Sequence, residues 1–433
     1  MADYSLGYDG NGNLVRLADP LHQITRFGYD ANSRLTYLTD ARINTTQYTY
    51  DATGNNTARI SPDLTRQTYV RDTTGELAGK TNRRGVPVSI TRNPRGQITH
   101  IDYNDNSSVS YTYDTAGLLL AVEDATGITT LDYYPNHLLR RISSPGNRYL
   151  EYTYDAAGRR TSVTDQSGYR LDYAYTFDGE LERIIENGAR VLVRYTYDHR
   201  GRLSKSILGN GVTTAYLYDA AGRVELIDTT DAGGAAISSY AYRYDVNNRR
   251  TGLTSRDGVW DYAYDATGQM VRAVFTSTDP EIPSRDIEYV YDQVGNRVRE
   301  IAAGAEKGYT VNAMNQYRQA GSFTYSYDPD GNLTGKTNGV DSWSYEYNDD
   351  NRLIRATGPD GITEYIYNGL PSWPRWLKTG WKSTSWSIPS GSATWWASMT
   401  TPATWSAATP TAWDWSPRIS TSTPLTATAT PAN

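Results

Sequence analysis

The sequence predicts an all-β protein of repeated antiparallel β-hairpins that join into one curved sheet. Three observations support this fold class. A phrase of tyrosine and aspartate, with a glycine three residues after the aspartate, recurs with substitutions at eighteen registers in the first 370 of 433 residues. Aromatic and small polar residues alternate before each phrase, and Asp and Gly mark a turn after it. Because repeat units share their core with neighbours, a period of about 21 residues makes length a poor guide to domain number.

The eighteen registers follow one another at steps of mostly 20 to 22 residues. They fall at Tyr8, Tyr29, Tyr50, Arg71, Arg92, Tyr113, Tyr134, Tyr154, Tyr175, Tyr197, Tyr218, Tyr244, Tyr264, Tyr291, Val311, Tyr327, Tyr347 and Tyr367. The longer steps before Tyr244 and Tyr291 are expected to contain loops, because insertions in a repeat array map to loops.

Within one unit the sequence predicts two short strands. Alternation in Tyr195-Thr196-Tyr197 places aromatic rings on one face and threonine on the other, which is strand periodicity. The aspartate then accepts backbone N–H bonds in a turn, and the glycine supplies a left-handed residue. A returning strand such as Arg159–Val163 ends at a second turn, Asp165–Gly168, before the next unit begins.

Eighteen such units give about 36 strands, and at ~4.8 Å per strand the sheet would be roughly 170 Å wide. A sheet of that width must curl. It would close as a single ring roughly 55 Å across or wind as a narrower spiral, and the sequence leaves both open. We expect tyrosine rings from successive hairpins to stack on one face.

Composition excludes several functional classes. The formal charge of −6 argues against a surface dedicated to nucleic acid, and the absence of cysteine excludes disulfides and thiolate chemistry. The longest aliphatic run, Leu118–Val122, is far too short to span a bilayer. No secretory signal is visible at the N-terminus, which suggests a fragment of a longer protein.

The phrases Tyr8-Asp9-Gly10-Asn11-Gly12-Asn13-Leu14 and Tyr218-Asp219-Ala220-Ala221-Gly222-Arg223 resemble the YD repeat of the RHS family. That family includes bacterial RHS polymorphic toxins, B and C components of insecticidal toxin complexes, and teneurins. The segments Tyr309–Tyr317 and Tyr325–Thr334 are especially similar to the bacterial members. The resemblance covers residues 1 to about 370.

The resemblance implies a spiralling β-shell in a secreted or surface-displayed protein, which would enclose or present a C-terminal toxin or effector domain absent from this chain. Carbohydrate binding is also ascribed to YD repeats, so a glycan-binding or adhesion module is the alternative function. A third possibility, a toxin nuclease, has no residue here to support it, and we expect the chain not to be an enzyme. No cofactor is implied.

No catalytic, cofactor or metal site is predicted. The four histidines lack metal-ligand spacing, and aspartates that recur in every unit are better explained as turn caps. The pairs Arg83-Arg84, Arg140-Arg141 and Arg159-Arg160 are expected in strands, solvated or paired with nearby acids. The candidate glycan-stacking residues, weighed against simple packing between hairpins, are Tyr111, Tyr113, Tyr152, Tyr154, Tyr195 and Tyr197.

The composition changes abruptly after Leu370. Residues 371–433 hold nine of the eleven tryptophans and none of the 37 tyrosines. One interpretation is a disordered, Thr/Ser/Pro-rich tail. The favoured hypothesis is a frameshift near Leu370, because moving the reading frame by one base permits another YDDAGNL phrase in this region. The predicted domains are therefore a repeat shell at 1–370 and a poorly folded tail at 371–433.

Overall fold

The computed structural model describes residues 4–105, 107–367, 369 and 374–377, the last four by their backbone alone. Its strands lie in a compact unit, Met1–Trp381. Apart from Pro374–Leu377, the predicted tail lies outside the described residues, and the frameshift stays a prediction that the coding DNA tests.

The described residues form 36 strands and no helix, which confirms the all-β prediction. Odd-numbered strands lead into the Tyr-Asp phrase: β1 (Ser5–Tyr8), β3 (Ile24–Tyr29), β5 (Thr45–Tyr50), β7 (Arg66–Arg71), β9 (Pro87–Arg92), β11 (Ser108–Tyr113), β13 (Gly127–Tyr133), β15 (Arg148–Tyr154), β17 (Arg170–Tyr175), β19 (Arg190–Tyr197), β21 (Thr213–Tyr218), β23 (Ala236–Tyr244), β25 (Gly258–Tyr264), β27 (Arg285–Tyr291), β29 (Ala305–Val311), β31 (Phe323–Tyr327), β33 (Ser342–Tyr347) and β35 (Gly361–Tyr367).

Even-numbered strands return from that phrase: β2 (Leu14–Ala18), β4 (Leu35–Thr39), β6 (Asn56–Ile60), β8 (Leu77–Thr81), β10 (Ile98–Tyr103), β12 (Leu119–Asp124), β14 (Leu139–Ser144), β16 (Arg160–Asp165), β18 (Leu181–Glu186), β20 (Leu203–Leu208), β22 (Val224–Thr230), β24 (Arg250–Ser255), β26 (Met270–Ser277), β28 (Arg297–Ala302), β30 (Tyr317–Ala320), β32 (Leu333–Thr337), β34 (Leu353–Gly358) and β36 (Pro374–Leu377).

Every strand pairs antiparallel with the strand that follows it, so the chain builds one continuous sheet of hairpins. We call the loops from odd to even strands Tyr-Asp turns and the loops from even to odd strands return turns. At β29 the pairing shifts along the strand: Ala305–Gly308 pair with β28, and Tyr309–Val311 pair with β30. The two types of turn therefore form the two long edges of one strip.

The core is thin. Buried apolar side chains lie within the sheet, and one row of them crosses β16, β17 and β18. Val163 pairs with Leu171, and Tyr173, two residues further along β17, pairs with Ile184. Val163, Leu171 and Ile184 are each at most 5% exposed, and the described strands contact only their neighbours in the sheet. Side-chain packing between adjacent hairpins, rather than a second layer, therefore holds the sheet together.

Predicted register and observed register differ at one unit. The sequence places the phrase at Tyr134, but β13 ends at Tyr133, and Tyr134 occupies the position that aspartate holds in other units. Two adjacent tyrosines with no following aspartate offer no signal of which one ends the strand.

Candidate functional site: the repeat wall and its seam

Each Tyr-Asp turn is organised by its aspartate, as the unit at Asp198 shows. The Asp198 carboxylate accepts hydrogen bonds from the backbone N–H groups of Arg200 and Arg202, at 2.9 and 3.0 Å. Gly201 is left-handed with a φ of 73°, and the pairing register shifts by one residue before Tyr197, which is a β-bulge. The predicted turn geometry is confirmed.

The carboxylate in this turn is held ionised. The backbone N–H of Arg202, and then its side chain, lower the pKa of Asp198 to about 2. The Arg202 Nε lies 2.7 Å from the second carboxylate oxygen. Its guanidinium then lies over the ring of Tyr218 in the next unit, 4.2 Å from the ring centre. One arginine therefore links two successive units.

The phrase tyrosine links each unit to the one before it. The Tyr218 hydroxyl donates a hydrogen bond of 2.8 Å to the carbonyl of Leu203, the first residue of the preceding return strand. Tyrosines that make the equivalent bond are Tyr29, Tyr50, Tyr113, Tyr133, Tyr154, Tyr175, Tyr197, Tyr244, Tyr264, Tyr291, Tyr327 and Tyr367. We expected the rings to stack on one another, but these phrase tyrosines act mainly through their hydroxyls and the arginines over their faces.

The six candidate glycan-stacking tyrosines lie in three pairs, on β11, β15 and β19. Successive pairs are four strand spacings apart, or ~19 Å along the sheet, so the structure does not bring all six together. Tyr113, Tyr154 and Tyr197 use their hydroxyls in the links between units. Tyr152 is only 5% exposed.

Tyr111 and Tyr195 are the other two candidates, and both are half-buried. Burial raises the pKa of each hydroxyl. The Tyr111 hydroxyl bonds the carbonyl of Gly369 at 3.2 Å. Glycan stacking on these residues stays a prediction.

Contacts between residues about 250 apart in sequence show that the strip winds past its own start. Arg42 lies in the return turn after β4, and its Nε is 3.4 Å from Asp292 in the Tyr-Asp turn after β27. One winding therefore takes roughly 23 strands, which at ~4.8 Å each gives a circumference of ~110 Å and a width of ~35 Å. Of the two closures that the sequence left open, the narrower spiral is the one that forms.

We define the seam as the contacts between return turns in residues 40–127, on the first winding, and Tyr-Asp turns in residues 292–369, on the second. At its centre the Arg84 Nε is 2.7 Å from Asp330, whose side chain is 5% exposed. The backbone N–H of Arg83 donates to the same carboxylate at 2.7 Å. Further along, Tyr103 has a raised pKa, first because it is buried and second because of the nearby Asp350 carboxylate.

The last described contact of the seam involves a buried glycine. The Gly369 N–H donates to the Asp124 carboxylate at 2.5 Å, and a Cβ on Gly369 would lie 2.5 Å from Val109. Only a residue without a side chain fits this position without displacing its neighbours.

Sequence reasoning missed the seam. Arg83 and Arg84 were expected in a strand and solvated or beside local acids, but they lie in a return turn, and Arg84 pairs with Asp330, 246 residues away. Asn315 and Asn351 replace the usual glycine of the Tyr-Asp turn and accept seam hydrogen bonds, but Asn248 replaces it too and accepts an equivalent bond within one winding, so this replacement alone does not mark the seam.

Two further observations concern metal ligands and membrane-spanning helices. In the described part of the chain, no three His, Asp or Glu side chains come together as a possible metal site. The same residues include no helix long and apolar enough to cross a membrane.

A family model described as teneurin YD-shell matches residues 150–303, and one described as RHS repeat matches residues 8–42 and 327–363. The chain belongs to the RHS/YD-repeat family. Members of this family form structural shells, and the described strands are such a shell wall. No curated protein sequence matched the chain.

Solved structures of toxin-complex proteins share the fold of this RHS/YD-repeat chain. The crystal structure of TcdB2-TccC3-TEV has a TM-score of 0.68 and 18% identity, covering 85% of this chain and 24% of the other. TcdB2-TccC3 without its hypervariable C-terminal region gives 0.69 and 17%, covering 84% and 24%. The Photorhabdus luminescens Tc holotoxin pore gives 0.67 and 17%, with the same coverage. The chain thus spans about a quarter of these proteins, and the likeness shows the fold alone.

Proposed function

We propose that this chain is a non-catalytic segment of an RHS/YD-repeat shell that encloses or presents a C-terminal toxin or effector domain. The observation that carries the proposal is the seam, because it joins successive windings of the sheet into a wall. A sheet linked only through its strands would leave a gap between windings. That gap is closed at three places along the arc, by the contacts of Arg42, Arg84 and Gly369.

Similarity to the toxin-complex structures supports the proposal that the shell holds a cargo domain. One of those proteins is described with a hypervariable C-terminal region, which is where a variable cargo domain would lie. We also propose that the protein is extracellular, because it is similar to toxin-complex and teneurin shells.

Protease protection tests this function. A protease-sensitive reporter polypeptide is fused to the C-terminus of the full chain, and its cleavage rate is compared with that of the same reporter fused to an unrelated soluble protein. A wall that encloses its C-terminal neighbour slows cleavage of the reporter at least severalfold. Equal cleavage rates in the two fusions would refute enclosure.

A control separates enclosure from simple crowding near the wall. The reporter is moved to the N-terminus of the same chain, where it precedes β1. Slow cleavage at the C-terminus alone supports a directed interior, whereas equal protection at both ends contradicts it.

A further inference from the structure

We infer that the seam is the joint at which the wall opens, so that the two windings separate there while the hairpin sheet stays intact. The inference concerns the wall itself and does not depend on the proposed cargo. It rests on a recognition pattern that occurs twice along the seam and on the difference between seam contacts and strand contacts.

The first occurrence is at Arg42. Its guanidinium Nη1 donates to the backbone carbonyl of Asn312 at 3.2 Å and to the Asn315 side-chain oxygen at 2.9 Å. The same Asn315 oxygen also accepts a bond of 3.1 Å from the Asn296 side-chain amide, within the second winding. A hydrogen bond within the second winding therefore holds the Asn315 oxygen in position independently of the arginine.

The second occurrence repeats this arrangement at Arg84. Its Nη2 donates to the backbone carbonyl of Asn348 at 2.8 Å and to the Asn351 side-chain oxygen at 3.1 Å. The Asn332 amide donates to that same oxygen at 2.9 Å. Two equal forks, two repeat units apart on the first winding, fix the register of one winding on the other.

An arginine third in a return turn is confined to the overlapping arc, whereas the asparagine acceptor is not, because Arg223 makes the same fork with the Asp245 carbonyl and the Asn248 oxygen within one winding. Arg42 and Arg84 each stand third in a five-residue return turn. In return turns further along the first winding, that position holds Ser167, Asn210 or Gly233. The arginines therefore occur where a second winding faces them, which is expected if their role is to hold it.

The seam is chemically unlike the sheet. Neighbouring strands share a ladder of backbone hydrogen bonds over two to seven paired residues, with seven between β25 and β26. Between windings the forks are side-chain contacts from a few arginines, and the Arg42 and Asp292 side chains keep 22% and 10% of their surface exposed. Partly exposed side-chain contacts each contribute little stability, whereas a ladder in mid-sheet opens cooperatively. Separation of the wall therefore begins at the seam.

Spin labels measure this separation directly, because the chain has no cysteine and labelling sites are introduced one pair at a time. A seam pair replaces the exposed residues Ile43 and Gln293, in the facing turns of Arg42 and Asp292. A control pair replaces exposed Phe177 and His199, in two successive Tyr-Asp turns of one winding. Pulsed electron paramagnetic resonance then gives the distance distribution of each pair in the full chain.

Two double variants weaken the forks from opposite sides. Asn315→Gly with Asn351→Gly removes the two acceptor oxygens while restoring the residue that other units use, so the local turns keep their geometry. Arg42→Gln with Arg84→Gln removes the two donors. A matched control, Arg170→Gln with Arg190→Gln, removes the same charge from the first residues of β17 and β19, outside the seam.

The expected result is a single short distance for the seam pair in the unchanged chain and in the matched control. Both seam variants add a longer-distance population, and the arginine variant converts more than half of the short one. The Phe177–His199 pair keeps its distribution throughout. The inference is overturned if the seam pair is unaffected in both variants, or if the two label pairs change together, which would mean that the sheet itself unfolds.

Discussion

The hydroxyl of each phrase tyrosine should account for a measurable part of the adhesion between hairpins, and Tyr154→Phe tests this at one position. The change removes a hydrogen bond of 2.9 Å from the Tyr154 hydroxyl to the Leu139 carbonyl and leaves the ring in place. The bond is partly buried, and burial raises the pKa of this hydroxyl. A bond of this kind contributes about 1 kcal/mol.

A loss of about 1 kcal/mol corresponds to a roughly fivefold increase in the local opening equilibrium. Backbone amides of β14 and β15 should therefore exchange with deuterium roughly fivefold faster in the variant, and amides several units away should not change. Hydrogen exchange is the suitable assay, because a repeat array need not unfold in a single step.

Tyr240→Phe is the matched control. Among the described residues the Tyr240 hydroxyl makes no hydrogen bond, and its side chain is 39% exposed. The control should leave exchange within twofold of the unchanged chain. If both substitutions have the same effect, or if Tyr154→Phe has none, the hydroxyl link between units is not a source of stability.

Three further outcomes follow from individual positions. Leu64 is left-handed with a φ of 66° and 80% exposed, so Leu64→Gly should relieve backbone strain and stabilise the fold by about 0.5–1 kcal/mol. The urea midpoint of unfolding should then rise, and a lower midpoint would contradict backbone strain at Leu64. Gly369→Ala places a Cβ against Val109 and Val122, so it should cost about 1–3 kcal/mol and speed exchange in β35, whereas unchanged exchange would show that the site adapts. Burial raises the pKa of Tyr327 to about 12, above the ordinary value of 10.0; the unfolded chain thus loses this proton first, and stability is lost as pH rises from 10 to 12. Tyr327→Phe should make that alkaline loss, followed by circular dichroism, less steep.

The local structure was predictable because its causes lie within one unit of about 21 residues. Asp198, Gly201 and the alternation before Tyr197 specify a turn through contacts four residues apart or fewer. Such contacts depend on side-chain geometry that the sequence states directly. The error at Tyr134 shows the limit, since the turn there lacks the aspartate that marks it elsewhere.

The contacts that bridge neighbouring units were predicted less well. Rings at a regular spacing suggested stacking, but the structure shows hydroxyl-to-carbonyl links and arginines such as Arg202 over the rings. Which atoms of two neighbouring hairpins meet depends on the bulge and twist between them, and composition does not carry that information.

The sequence by itself determined the hairpin, its turns and the family, because each of these repeats in every unit and is fixed by neighbours along the chain. Only the tertiary structure decided that the sheet winds as a narrow spiral and that Arg42 and Arg84 meet turns about 250 residues away. The physical reason is accumulation: small twists at roughly 23 successive strand pairs add up to one winding, and a slight change in each would bring different residues to the seam.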